Sequence, residues 1–365
     1  MRRDPAARRR SLLRNTGQGE IMMSMLRGGL IFISGFCMAA LAQTADQKPD
    51  TDKPTFTIRR NEVIVPVTVT DYKGRFISNL EKSDFKVFED GREQEIKFFS
   101  RQANQPIVLG LVLDLSSGSR IHWDNFQKTA MEMVWALLSD ERDKKYSGFL
   151  VTFSTDAELA VDTTSNPEPI VDKIRTLKPG GGAALYDAIV MAINKHHLLP
   201  GEPIEPRRVL IVFGDGNDNA SKHSLDQVIE LAQRNLVTIY VVSTQAFGFT
   251  NEGEAAITRL TDATGGRVET PLDGVYADVS GYLSKPQDAG NYSLVVGSGA
   301  YSSAVSQHMF DAITKVAGEI STQYILRYVP DTTENTRALR AIKVTVDIPD
   351  VTVRTRRGYY PFALQ

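Results

Sequence analysis

The stretch "PIVLGLVLDLSSGSR", Pro106–Arg120, is a run of aliphatic residues that stops at a carboxylate, Asp114, and a cluster of hydroxyls, Ser116, Ser117 and Ser119. Over "IVLGLVLD" the hydrophobicity is continuous rather than alternating, which reads as a strand buried on both faces, the kind that parallel sheets require. The segments that follow keep a strand and helix rhythm. "WDNFQKTAMEMVWALL" has helical spacing and "YSGFLVTFS" is a second buried strand; then come the helix "AALYDAIVMAINKHH", the strand "RRVLIVFGD", the helix "SLDQVIELAQRN" and the strand "LVTIYVVS". This alternation predicts an α/β fold, a right-handed, doubly wound, mostly parallel sheet. Ligands of such sheets sit at the carboxyl ends of the strands, and that is where Asp114 falls.

The flanks read differently. "NEVIVPVTVTD" (Asn61–Asp71) and "DFKVFEDGREQEIKFFS" (Asp84–Ser100) alternate apolar and polar residues, with "YKGR" and "EDGR" supplying turn chemistry, so residues 57–103 are predicted to form an N-terminal antiparallel β unit. The α/β domain then spans 105–321. Beyond it, in 322–365, "QYILRYVP", "RAIKVTVDI" and "TVRTRRGYY" are strands joined too closely for crossovers, and they are expected to pair with those of 57–103. Tyr324, Tyr328, Tyr359 and Tyr360 lie in these runs and are assigned to a sheet core, with an exposed aromatic patch as the other reading for the last two. Pro271–Ser303 is rich in Gly, Ser and Tyr without a period and reads as a long surface loop.

Near the N-terminus, "GGLIFISGFCMAALA" (Gly28–Ala42) is apolar, preceded by Arg27 and closed by Ala40-Leu41-Ala42, the small-x-small form of a signal-peptidase site. Residues 1–42 are therefore expected to be an Arg-rich leader and signal peptide, and the polar, Pro-containing 43–56 a flexible linker. An apolar run this short falls below the roughly 20 residues of a membrane span, though an uncleaved anchor is the alternative. The single cysteine, Cys37, lies inside this segment, so the mature chain would carry no disulfide and no Cys-ligated metal. Removing 1–42 takes away seven Arg with Asp4 and Glu20 and leaves 35 basic and 42 acidic residues, net −7. A mildly acidic exported protein, periplasmic or extracellular, is a poor match for nucleic acid.

With Asp114-Leu115-Ser116 the chain resembles the von Willebrand factor type A (VWA) domain, and within that family the VWA-related proteins that bacteria secrete. "DFKVFEDG", "GGGAALYDAI", "VFGDGNDNAS", "LTDATGGRV", "YILRYVP" and "RRGYY" are similar to family motifs and occur in the family's order across most of 57–360. The resemblance implies a site for a divalent metal, Mg²⁺ or in its place Mn²⁺ or Ca²⁺, at the carboxyl edge of the sheet. There a D-x-S-x-S loop, a Thr and an Asp hold the ion, and an acidic side chain of a protein partner completes its shell. Asp114, Ser116 and Asp215 match those positions. The second Ser falls on Gly118, with Ser119 one place late, and the Thr falls on Ala183, so the implied site is degenerate. Ser119 and Asp218 are auxiliary candidates, and Arg120 and His122 belong to a partner-binding rim. Two readings stand: carboxylates converging on one pocket favour a cation, or the strand end is a hydrogen-bonded polar turn with no metal, where at least one acid's pKa must rise.

Other chemistry is weakly represented. "KPGGGAAL" (Lys178–Leu185) lacks the P-loop pattern, no GxGxxG occurs, none of the five histidines forms HExxH, and "SDFK" (Ser83–Lys86) sits in a strand pattern rather than at a helix start. The expected function is non-enzymatic: a secreted or periplasmic VWA-domain protein that binds another protein, the alternative being a metal-independent scaffold of an envelope assembly.

Overall fold

The computed structural model of the chain describes residues 62–101, 106–138, 146–195, 207–245, 252–272, 299–331 and 338–361; at 121–122 and 299–302 only the backbone is described. The signal and linker segments expected over 1–56 lie outside the described residues.

Strand β5 (Ile107–Asp114) is buried along its whole length and is central in a six-stranded sheet. It pairs in parallel with β6 (Tyr146–Phe153) on one side and β8 (Arg207–Gly214) on the other. Beyond β8 come β9 (Val237–Ser243) and the two-residue β10 (Val268–Glu269), both parallel, and beyond β6 comes β7 (Ala157–Thr164), which is antiparallel. The side chains of β5 alternate between two cores. Ile107, Leu109, Leu111 and Leu113 pack with α1 (Trp123–Leu138), α2 (Glu168–Thr176) and α6 (Gly299–Thr322), whereas Val108 and Val112 pack with α3 (Leu185–Lys195), α4 (Leu225–Arg234) and α5 (Glu252–Thr264). At about 1.5 to 3 kcal/mol for each fully buried aliphatic side chain, these two layers outweigh any single polar contact.

The chain ends build a separate β sandwich. One sheet runs β13 (Val351–Arg354), β1 (Val63–Asp71), β11 (Tyr324–Tyr328), β4 (Ile96–Ser100); the other runs β14 (Gly358–Tyr359), β12 (Arg340–Val346), β2 (Phe85–Glu89), β3 (Arg92–Gln94). N-terminal and C-terminal strands therefore pair directly, Val65 against Leu326 and Val87 against Val344, and the α/β domain is an insertion between β4 and β11. The expectation of one N-terminal unit is refined here, because β1 and β4 lie in one sheet and β2 and β3 in the other. Between β2 and β3, Asp90 and Gly91 both take positive φ, as a two-residue hairpin turn demands. Val65, Val67, Phe85, Val87, Tyr324, Leu326, Tyr328, Val344 and Tyr359 fill the space between the sheets. Tyr328 and Tyr359 direct their hydroxyls at buried Glu89, at 2.6 and 3.0 Å, beside Arg340. Tyr360 is only partly buried and lies under the Arg234 guanidinium.

Several elements went unread in the sequence. The edge strand β7 and helices α2 and α5 were not assigned, and the surface loop expected over Pro271–Ser303 is shorter than its sequence suggested. Leu272 is fully buried and α6 already begins at Gly299; 273–298 lie outside the described residues.

The sandwich meets the α/β domain through a polar junction. Glu319 of α6 is fully buried and accepts from Thr68 of β1 at 3.0 Å and from Tyr240 of β9 at 3.2 Å, with Arg354 of β13 in direct contact and Arg267 at 3.8 Å. Gln323 bridges the same Thr68 and Tyr240 hydroxyls and accepts from Arg207 of β8. A buried carboxylate shared by four elements holds the orientation of the two halves, because removing it strands positive charge in a low dielectric. Glu319→Ala is expected to lower unfolding free energy by about 3 to 5 kcal/mol in urea titrations; a loss well under 1 kcal/mol would show that the junction is not structural.

Candidate functional site

The carboxyl edge of the six-stranded sheet is shaped by loops tied to each other through backbone hydrogen bonds. After β5 the chain enters a 3₁₀ turn, Ser117–His122, that leads into α1. The Leu115 and Ser117 region is laced to the glycine loop before α3: Gly180 N–H donates to Leu115 O at 2.6 Å, Ser117 N–H donates to Gly181 O at 3.1 Å, and the Ser117 hydroxyl both donates to Gly181 O and accepts from Gly181 N–H. Gly181 has φ +104°, a conformation L residues rarely adopt, so a glycine is needed there for this fit. On the β8 side, Gly216 at φ +84° lets the loop pass directly against the Gly253 carbonyl at the start of α5.

Asp114 sits at the bottom of this arrangement, 3% exposed, with the Ser116 N–H donating to its Oδ1 at 2.6 Å. Burial pushes its pKa up to about 6, against the bonds from the Ser116 N–H and hydroxyl that lower it, and the nearby Asp215 charge adds to the rise. Gly214 brings its Cα close: a Cβ there would lie 3.3 Å from the Asp114 Cβ. Asp215 accepts from the Asn217 N–H at 2.9 Å and its side-chain amide at 2.7 Å. A Cβ placed on Gly118 would lie 3.4 Å from Asp215 Oδ2 and 3.5 Å from Ser116 Oγ, so Asp215 and Ser116 flank the space that the missing second Ser would fill. Asp114, Ser116 and Asp215 are therefore brought together by the fold.

The auxiliary candidates are placed differently. The Ser119 hydroxyl donates to the Asp114 and Ser116 backbone carbonyls at 3.0 and 2.9 Å, so it closes the turn. Asp218 accepts from the Tyr186 N–H at 2.9 Å and the Ser221 hydroxyl at 2.6 Å, which makes it the N-terminal cap of α3. Ala183 is buried at 4%, its N–H and carbonyl held by Asn219, and brings no oxygen to the site. Arg120 is exposed, its guanidinium 3.7 Å from a Cβ built on Gly180; of His122 only the backbone is described. Residues that sequence reading passed over include Asn217, Asn219 and Thr155, whose hydroxyl accepts from Gly182 N–H at 3.1 Å. The signal for the two asparagines was the Asx-turn composition of "DGNDNAS".

A divalent cation of the Mg²⁺ type wants hard oxygens and tolerates several waters. Asp114, Ser116 and Asp215 supply three such oxygens around one space, which fits a water-rich shell, while among the described residues no group of three or more His, Cys, Asp and Glu is arranged for a metal. A bound cation there would offset the charge of two neighbouring acids and leave positions for an outside ligand.

The six-stranded sheet has helices on both faces and bears Asp114 and Asp215 at its carboxyl edge, the placement that the resemblance to the VWA domain implies. No family model matches the chain. An uncharacterized protein from Borreliella burgdorferi is 31% identical over 150 residues, 40% of this chain and 42% of that protein, so the chain spans well under half the length of this curated relative. Among solved structures, the conserved hypothetical protein BatB from Bacteroides thetaiotaomicron is 15% identical, covering 49% of this chain and 100% of that one at a TM-score of 0.36. The PilB minor pilin from Streptococcus sanguinis is 14% identical (62% and 63% covered, TM-score 0.37), and the vWF domain of the pilus tip protein Mfa5 from Porphyromonas gingivalis is 17% identical (50% and 52% covered, TM-score 0.28). Superpositions at this level add nothing about binding. Among the described residues no helix is long and apolar enough to cross a membrane.

Because the folded-state pKa of Asp114 is raised above its unfolded value near 3.8, the folded chain holds the extra proton between the two values, and the metal-free protein loses stability as pH rises from about 4 to about 6. The cost above that window is on the order of 3 kcal/mol. Asp114→Asn should therefore unfold at a higher temperature than the parent at pH 7.5 in chelator, with the gap closing by about pH 4. Equal midpoints at both pH values would mean that Asp114 is solvated.

Proposed function

We propose that this protein is an exported, non-enzymatic VWA-domain protein that binds another protein through the carboxyl rim of its six-stranded sheet, with a divalent cation held by Asp114, Ser116 and Asp215 and with Arg120 and His122 on the rim. The observation that carries the reading is the burial of Asp114 beside Asp215, two acids whose mutual repulsion a cation relieves. With only three protein oxygens the shell keeps several waters, and an acidic side chain of the partner is suited to displace one. Export rests on the signal-like segment before Gln43. The second reading, a metal-independent scaffold of an envelope assembly that uses the sandwich instead of the rim, is favoured by Gly118 and Ala183, which bring no oxygen.

The test is thermal unfolding after chelation, with Mg²⁺, Mn²⁺ or Ca²⁺ added back. A cation that binds only the folded state raises the midpoint with concentration. The midpoint should rise in the parent and stay flat in Asp114→Ala. Gly118→Ser with Ala183→Thr, which restores two oxygens, should move the response to lower cation concentration by tenfold or more, on the order of 1.4 kcal/mol of added affinity. No response at millimolar cation in either the parent or the double variant would rule out the metal-assisted rim and leave the scaffold.

A further inference from the structure

A second site lies at the opposite end of the sheet, where the amino ends of β8 and β9 meet the outer face of β1. A cavity of about 130 Å³ opens there, lined by Ile64 and Pro66 on the sandwich side and by Arg207, Arg208, Arg234 and Arg356. Four arginines line it and, among the described residues, no Asp or Glu does. Arg234 is paired with Glu230 at 2.6 Å, and Arg207 donates to the Ile320 carbonyl at 2.9 Å and to Gln323.

Arg356 is different. It is 3% exposed, donates to the Leu236 carbonyl at 3.1 Å, and has no ion pair among the described residues. Its Nε and that of Arg207 are both buried without a hydrogen-bond acceptor among the described residues. Burial pulls its pKa down to about 10, and the neighbouring Arg207 charge acts in the same direction, yet at neutral pH it remains a cation. A buried, uncompensated guanidinium is among the costliest features a fold can carry. Its backbone is fixed in place as well: Gly265, at φ +84°, passes so close that a Cβ there would lie 2.5 Å from the Arg356 nitrogen. The fold therefore holds a buried cation against a cavity.

We infer that this cavity binds a small oxyanion of the phosphate class, free or as the phosphoryl group of a larger molecule, with Arg356 and Arg207 as its inner donors and Arg208 at the mouth. The volume suits a tetrahedral oxyanion, and planar N–H forks from several sides match its oxygens better than they match a single carboxylate. The site is independent of the rim around Asp114.

The experiment is thermal unfolding of the purified protein at fixed ionic strength, titrated with inorganic phosphate, and in parallel with glycerol 3-phosphate and with acetate, against chloride. Phosphate should raise the midpoint in a saturable way, acetate should do so weakly or not at all, and Arg356→Met should abolish the shift while Asp114→Ala keeps it. A larger shift with glycerol 3-phosphate assigns the site to a phosphoryl group on a larger molecule; an equal or smaller one assigns it to the free ion. Should Arg356→Met fail to fold, Arg208→Gln is titrated instead and should weaken phosphate binding at least threefold. A midpoint that phosphate moves no more than chloride does, or a shift undiminished in the arginine variant that folds, would overturn the inference.

Discussion

A parallel strand covered on both faces must give up its polar surroundings along its whole length and recover them only where it ends. In β5 that constraint is severe, since Ile107 through Asp114 are all buried and paired on both sides. The first polar side chain after seven apolar positions is a carboxylate, set in a low dielectric beside Asp215. Two loops then receive it. The Ser116 N–H supplies a donor, the Ser119 hydroxyl closes the turn, and the 180–181 backbone is sewn to Leu115 and Ser117. The rim is thus a consequence of how the central strand terminates, and its charge is the residue of a core that is otherwise dry.

The sandwich built from the two chain ends gives this sheet a fixed base. Its polar junction concentrates on Glu319 and Gln323, which join β1, β8, β9 and β13 at the amino end of the sheet, far along the strands from Asp114. The two ends of the sheet carry opposite chemistry. At the carboxyl end two acids lie near each other; at the amino end arginines gather around a cavity, and one of them, the buried Arg356, comes from the turn between β13 and β14.

Much of the architecture was legible because burial leaves a periodic trace. "IVLGLVLD" and "WDNFQKTAMEMVWALL" carry that trace over their full length, and their bounds coincide with β5 and α1. The weaker elements lack it. Strand β7 lies at a sheet edge and buries none of its residues fully, and the nine-residue α2 turns only Ile170, Val171 and Ile174 inward. At the rim, the residue types were readable but their directions were not. Whether Ser119 and Asp218 face the pocket or the backbone is decided by loop geometry: the Ser119 hydroxyl donates to two backbone carbonyls, and Asp218 accepts from the Tyr186 N–H. Arg356 was hidden for another reason, since "TVRTRRGYY" reads as a strand and its pattern does not tell which of its arginines is buried.

The most direct test of the rim is crystallographic. Crystals grown in chelator and soaked in Mn²⁺ would be measured above and below the manganese absorption edge, and an anomalous peak is expected in the space between Asp114, Ser116 and Asp215. A map with no peak there, in crystals where the rim is open to solvent, would contradict the assignment and leave the carboxyl edge as a polar strand end without metal.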